Sequence, residues 1–142
     1  MQARWIGAVA ALAVLVGGAA LADTVKFTAT LKGASETPAN ASAGTGQVTA
    51  TLDTSTKMFD YSVTYAGLSG PATMAHFHKG AVGVAGPPVV AVPATSLASP
   101  MTGMATLTDA QIADLEAGAW YFNIHTAANP GGEVRGQVTE VH

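Results

Sequence analysis

The chain has no cysteine. That excludes disulfides, a thiolate nucleophile and thiolate metal ligands. Charge is scarce as well: charged residues make up 11% of the 142 residues, with six basic side chains against nine acidic ones and a net charge of −3. No basic patch stands out, which argues against nucleic acid as a partner. The Gly-x-Ser-x-Gly elbow of many hydrolases is missing. Asp109, Asp114 and Glu116 cluster in one short helical stretch and read as its solvated side, so paired-carboxylate chemistry has no seat. The glycine-rich stretch Lys79–Pro87 lacks the Lys-Ser/Thr that completes a phosphate cradle, and Pro87-Pro88 block a helix behind it. No catalytic or cofactor-binding residue is assigned, and the reading leans away from an enzyme.

What is present begins with an apolar N-terminus. Arg4 supplies a positive charge, Trp5 to Val16 is uncharged and apolar, and Ala20-Leu21-Ala22 is a small-x-small cleavage pattern followed by Asp23. Residues 1–22 therefore read as a signal peptide, and residues 23–142 as one mature domain. No cysteine follows the apolar core to carry a lipid, and no second apolar run is long enough to cross a bilayer. The expectation is an exported protein, periplasmic or secreted, that does not touch the membrane after cleavage.

The mature segment is rich in Thr, Ala, Val and Gly and alternates with period two, the side-chain period of a half-buried strand. Val25, Phe27, Ala29 and Leu31 share one face of a strand over 24–31. Val48, Ala50 and Leu52 share one over 46–52, and Phe59, Tyr61, Val63 and Tyr65 share one over 58–65. Asp53 to Lys57 reads as the hairpin turn between the second and third. Further strands follow over 73–78, 89–92, 103–107, 119–126 and 133–141. Thr108-Asp109-Ala110-Gln111 is a capping box that opens one short helix, and Gly118 is placed to end it. About eight strands and one helix predict an all-β fold, an antiparallel Greek-key β-sandwich or barrel of immunoglobulin-like or Cu/Zn superoxide dismutase-like kind.

Only four histidines occur in the chain, and three fall in strand-like segments: His76 and His78 in Thr-Met-Ala-His-Phe-His, and His125 in Trp-Tyr-Phe-Asn-Ile-His. A His-x-His pair on a strand puts both imidazoles on one face. Met74 shares that face, while Tyr121, Asn123 and His125 share one on the later strand. Were the two strands neighbours, three imidazoles would converge on one ion, copper before zinc by the Irving–Williams order, with Met74 as a thioether donor suited to Cu(I). Glu133 and Arg135 lie two residues apart on the last strand, either as a second-shell pair orienting His125 or as an exposed ion pair at a sheet edge. A second reading of the histidines stands beside the first: a strand-end imidazole can donate to a loop carbonyl and pin a glycine-rich turn.

Two blocks carry a family resemblance. Ala75-His76-Phe77-His78 with Gly80, Gly83 and Gly86-Pro87-Pro88-Val89-Val90 forms the first. Leu107-Thr108 through Gly118, then Tyr121 to Thr126 and Asn129-Pro130-Gly131-Gly132-Glu133-Val134-Arg135-Gly136-Gln137, forms the second. Together they resemble the CHRD domain, named after chordin, an extracellular protein that binds growth factors; the domain also occurs alone in exported bacterial proteins. The resemblance implies a β-sandwich distantly similar to Cu/Zn superoxide dismutases, and it brings no activity with it. A two-metal dismutase site needs more ligands than this chain has histidines, so at most one mononuclear site is expected. The expected function is a binding module for one copper or zinc ion. The alternative is a protein- or matrix-interaction domain, with an extracytoplasmic protein partner and purely structural histidines.

Overall fold

The structure, a computed structural model, describes residues 23–142. The signal-peptide expectation falls on residues 1–22 and lies outside them. Nine strands form one strongly curled antiparallel sheet: β1 (Thr24–Lys32), β2 (Thr45–Asp53), β3 (Met58–Ala66), β4 (Ala72–Lys79), β5 (Pro88–Ala91), β6 (Met101–Thr106), β7 (Trp120–Thr126), β8 (Val134–Gln137) and β9 (Thr139–Glu140). Their spatial order is β5-β4-β7-β8-β1-β2-β3-β6, with β9 paired to β1. Helix α1 (Asp109–Glu116) precedes β7. This is the all-β antiparallel barrel or sandwich with one short helix that the alternation and turn spacing predict.

The alternation decides which face turns inward. In β1 to β3 the buried set is Phe27, Ala29, Leu31, Val48, Ala50, Leu52, Phe59, Tyr61 and Val63, each on the face that period two assigns it. The β2–β3 hairpin closes on Asp53, whose Oδ1 accepts from Ser55 N at 2.9 Å and Thr56 N at 3.1 Å. Curling brings β3 over β4 and β7. Phe59 meets Phe77 edge-on at 5.2 Å and Trp120 at 5.8 Å, and Phe77 meets Phe122 at 4.7 Å. Such pairs add about 0.5–1.5 kcal/mol each beyond the area they bury.

The capping box forms as the sequence predicts: Thr108 Oγ1 accepts from Gln111 N at 3.2 Å, and Gln111 Oε1 accepts from Thr108 N at 2.9 Å. Gly118 follows the helix with φ +73°, a conformation that suits glycine. The closing segment differs from a single strand over 133–141. It divides at Val138 into β8 and β9, because Val138 N bonds back to Trp120 O while Val141 N bonds to Lys26 O, so the segment passes from β7 to β1.

One half of the sheet is covered on both sides. Every residue of β7 is buried: Trp120, Phe122 and Ile124 face the core, and Tyr121, Asn123 and His125 lie beneath loops on the outer face. Asn40 Nδ2 donates to Glu133 O at 3.0 Å, and Gln137 Nε2 donates to both Gly80 O and Gly118 O at 2.8 Å. These bonds fasten loops over the outer face of β4, β7 and β8. That roofed face holds the candidate site.

Candidate metal centre

Strands β4 and β7 are direct neighbours, paired His78↔Tyr121, His76↔Asn123 and Met74↔His125. Directly opposed residues of an antiparallel pair project from the same face. The three imidazoles therefore rise on one side of the sheet, and Phe77 points into the core. Ring centroids lie 5.3 Å apart for His76–His78, 5.3 Å for His76–His125 and 6.3 Å for His78–His125. One ring nitrogen from each residue lies within 4.8 Å of the other two.

The tautomers follow from the hydrogen bonds. His78 Nδ1 lies 2.9 Å from Gly86 O, and His125 Nδ1 lies 2.9 Å from Pro130 O. A carbonyl only accepts, so each Nδ1 carries the proton and each Nε2 keeps a lone pair. Both Nε2 atoms are buried without a hydrogen-bond partner, and so is Nδ1 of His76. A buried nitrogen left unpaired costs about 1–3 kcal/mol. Three such atoms at one place are hard to reconcile with packing alone. The Nδ1–H to carbonyl bond is also the arrangement by which metal-binding histidines are oriented.

Burial shifts His76 and His78 toward the neutral form that ligates metal. His76 lies below its usual value, first through burial and then through the neighbouring His125 and His78. His78 is lowered chiefly by burial; its bond to the Gly86 carbonyl opposes the shift without reversing it, and the neighbouring His125 and Arg135 add to it.

The surroundings hold the rings in place. Gly86 packs so tightly on Lys79 O that a Cβ there would collide with the backbone. Only glycine lets the loop carry its carbonyl over His78. Tyr121 stacks on His78 with centroids 4.7 Å apart and planes 2° from parallel. Its hydroxyl accepts from Gly86 N at 3.0 Å and donates to Gly86 O at 3.2 Å.

Glu133 and Arg135 are 0% and 2% exposed, so an exposed ion pair at a sheet edge is not what the fold contains. Ion pairs among the described residues join Lys57 to Asp109 and Lys79 to Asp114 instead. Glu133 accepts from Ser42 Oγ at 2.8 Å, Ser69 N at 2.9 Å, Thr126 Oγ1 at 2.8 Å and Asn129 Nδ2 at 3.1 Å, and also from Ser69 Oγ. Burial alone would raise its pKa, but the donors from Ser69, Thr126 and Ser42 outweigh it and hold the carboxyl at about 2. This carboxylate fixes Thr126 and Asn129, which flank the turn that offers Pro130 O to His125. Arg135 donates to Ala81 O at 2.9 Å and Val84 O at 2.8 Å in the glycine-rich loop. Its guanidinium lies over Tyr121, the ring that stacks on His78.

Met74 pairs with His125 in register and is 49% exposed, at the rim of the cluster. His142 is exposed at the chain end. Two further polar groups go unnamed by sequence reasoning as parts of the site. Asn123 occupies the position opposite His76, and Glu36, buried on the β1–β2 loop, has its pKa raised by burial against the opposing effects of Asn123, Thr37 and Arg135. Asn123 was legible as a residue sharing the face of His125. Glu36 lies in an irregular loop, where no periodicity announces a partner.

The sequence model of the CHRD domain matches residues 27–138, and the chain belongs to the CHRD domain family. No curated protein and no solved structure that was compared matches it. Among the described residues no helix is long and apolar enough to cross a membrane.

Proposed function

We propose that this CHRD domain is an exported binding module for one transition-metal ion, copper before zinc, held by His76 Nδ1, His78 Nε2 and His125 Nε2. The observation that carries this reading is the convergence of three buried, unpartnered imidazole nitrogens. An ion with metal–nitrogen bonds of about 2.0–2.1 Å wants its donors roughly 3.3 Å apart. The rings would close inward by an ångström or so, within reach of small side-chain rotations. Neutral imidazoles of this kind favour copper over zinc. Met74, opposite His125 in register, is a candidate for a further donor to Cu(I), and Glu133 and Arg135 support the loops that orient the rings. Export rests on the sequence of residues 1–22 and on the extracellular character of the family.

A specific observation also favours the second reading, an interaction domain with structural histidines and an extracytoplasmic protein partner: two of the three rings do pin loops through Nδ1. Equilibrium dialysis of tag-free protein against Cu(II) and Zn(II) separates the two. Retention of about one ion, lost in His78→Ala, is expected under metal binding. No retained ion, with a lowered melting temperature in the same variant, is the result that favours structural histidines and overturns the metal reading.

A further inference from the structure

Arg135 has surroundings that loop fastening alone does not require. Its side chain is buried, and among the described residues it has no ion-pair partner. Burying a guanidinium is costly when no carboxylate faces it. The carboxyl close enough to influence it, Glu36, is itself drawn toward its neutral form by burial. The guanidinium carbon of Arg135 lies 3.4 Å above the centroid of Tyr121. The other face of that ring carries His78, parallel to within 2°. The faces are opposite because β8 and β4, which supply Arg135 and His78, flank β7 on opposite sides. Cation, phenol and imidazole thus form one three-layer stack ending at a metal-binding nitrogen.

We infer that Arg135 is a positioning residue for the copper site: it clamps Tyr121 against His78, and its charge favours the cuprous over the cupric ion there. The inference rests on the copper reading above. Two stacking distances of 3.4 Å and 4.7 Å put the cation at most about 8 Å from the centre of the imidazole, and at a comparable range from an ion held on its Nε2. A cupric ion carries one more positive charge than a cuprous ion, so it is repelled more. At an effective dielectric constant of about 20, that difference is worth about tenfold in the ratio of the two affinities. The ring between them transmits the contact and keeps water out.

The test compares the Cu(II)/Cu(I) midpoint potential of copper-loaded wild-type protein with those of Arg135→Gln and Arg135→Lys, the electron supplied by an electrode through a mediator. Arg135→Gln should move the affinity ratio about tenfold toward Cu(II), which is ~59 mV for a one-electron couple. Arg135→Lys keeps the charge and should stay within about threefold of wild type. Equal potentials in wild type and Arg135→Gln overturn the inference, and so does a lysine variant that moves as far as the glutamine one. Should Arg135→Gln fail to fold, Tyr121→Leu carries the test. It should broaden the Cu(II) paramagnetic resonance spectrum as His78 loses its support, while Tyr121→Phe keeps the wild-type spectrum; an unchanged spectrum in Tyr121→Leu overturns the clamp. Failure of wild-type protein to retain copper is a separate outcome, which removes the reading beneath the inference and the inference with it.

Discussion

His125 stands diagonal to His76 across the β4–β7 pair, two residues along from Asn123, which is the residue directly opposite. This offset makes a triangle of the three rings. A histidine at position 123 would instead lie directly opposite His76 and nearer the Tyr121–His78 stack, away from the Pro130 carbonyl that His125 reaches. The diagonal placement lets each strand-end imidazole reach its own loop carbonyl and still present Nε2 inward. One nitrogen of each strand-end ring thus pins a loop and leaves the opposite nitrogen free for an ion.

The three histidines should separate cleanly when truncated. His78→Ala and His125→Ala each remove a buried hydrogen bond to a loop carbonyl, so the apo protein should lose about 1–2 kcal/mol as well as its ion. His76 makes no such bond, and its buried Nδ1 is already unpaired. His76→Ala should abolish tight copper retention while leaving the apo unfolding free energy within about 1 kcal/mol of wild type. Denaturant titration and dialysis on the three variants check this. Full copper retention in His76→Ala would refute the shared site.

Acid should weaken the apo fold through His76 and His78. His76 and His78 have folded pKa values below their ordinary 6.5. Above that pH the rings are neutral in both folded and unfolded chains, and no difference arises. As pH falls through about 6.5 the unfolded chain takes up protons first, so folding stability declines until the folded rings also titrate. A bound ion competes with those protons and should keep the melting temperature level to a lower pH than in apo protein. Thermal melts between about pH 8 and pH 5 with and without one equivalent of Cu(II) read both effects. An apo melting temperature that rises on acidification through this window contradicts the burial of the rings.

The strands could be read from period two because each buries one face: Phe27, Ala29 and Leu31 alternate with Thr and Lys side chains that stay outside. The His-x-His spacing fixed that His76 and His78 share a face. It could not say that β4 and β7 are neighbours, since that pairing depends on crossover connections with no local signal. Arg135 and Glu133 looked like an edge pair because charged residues near a chain end are usually solvated. The loops of residues 33–44 and 80–87 fold over that end and bury both. The bonds that reach Glu133 and Arg135 from Thr37, Ser42, Ser69, Ala81 and Val84 span 51 to 98 positions, beyond any pattern in the local sequence. Glu36 escaped notice for the same reason.

Met74 offers a test of oxidation-state preference at the rim. Its thioether lies on the face of His125 and is half exposed, so it is free to swing toward an ion without disturbing the core. Met74→Leu keeps the volume and removes the sulfur. Cu(I) affinity should fall several-fold, while Cu(II) affinity should stay within about twofold, because a thioether is a soft donor. Competition against a chromophoric Cu(I) chelator, paired with a Cu(II) titration, measures both. Equal loss of the two ions would mean that Met74 acts through packing, and no loss of either would remove it from the donor set.

Glu133 should prove the most sensitive single position for stability near the site. Its carboxylate gathers donors from Ser42, Ser69, Thr126 and Asn129, on segments distant in sequence. Glu133→Gln places an amide NH2 among groups that can only donate or already do, so about 2–4 kcal/mol should be lost at neutral pH. The acid limb should change as well. With a folded pKa of about 2 against an ordinary 4.5, the wild-type carboxylate stabilises the fold fully above about pH 4.5, and that contribution drains away as pH falls toward 2. The glutamine variant cannot titrate there, so its stability should fall less steeply over the same interval. Urea titrations at neutral pH and across the acid range distinguish the outcomes. A variant as stable as wild type at neutral pH would show that these loops are held by other contacts, and that His125 is presented to the cluster without help from the carboxylate.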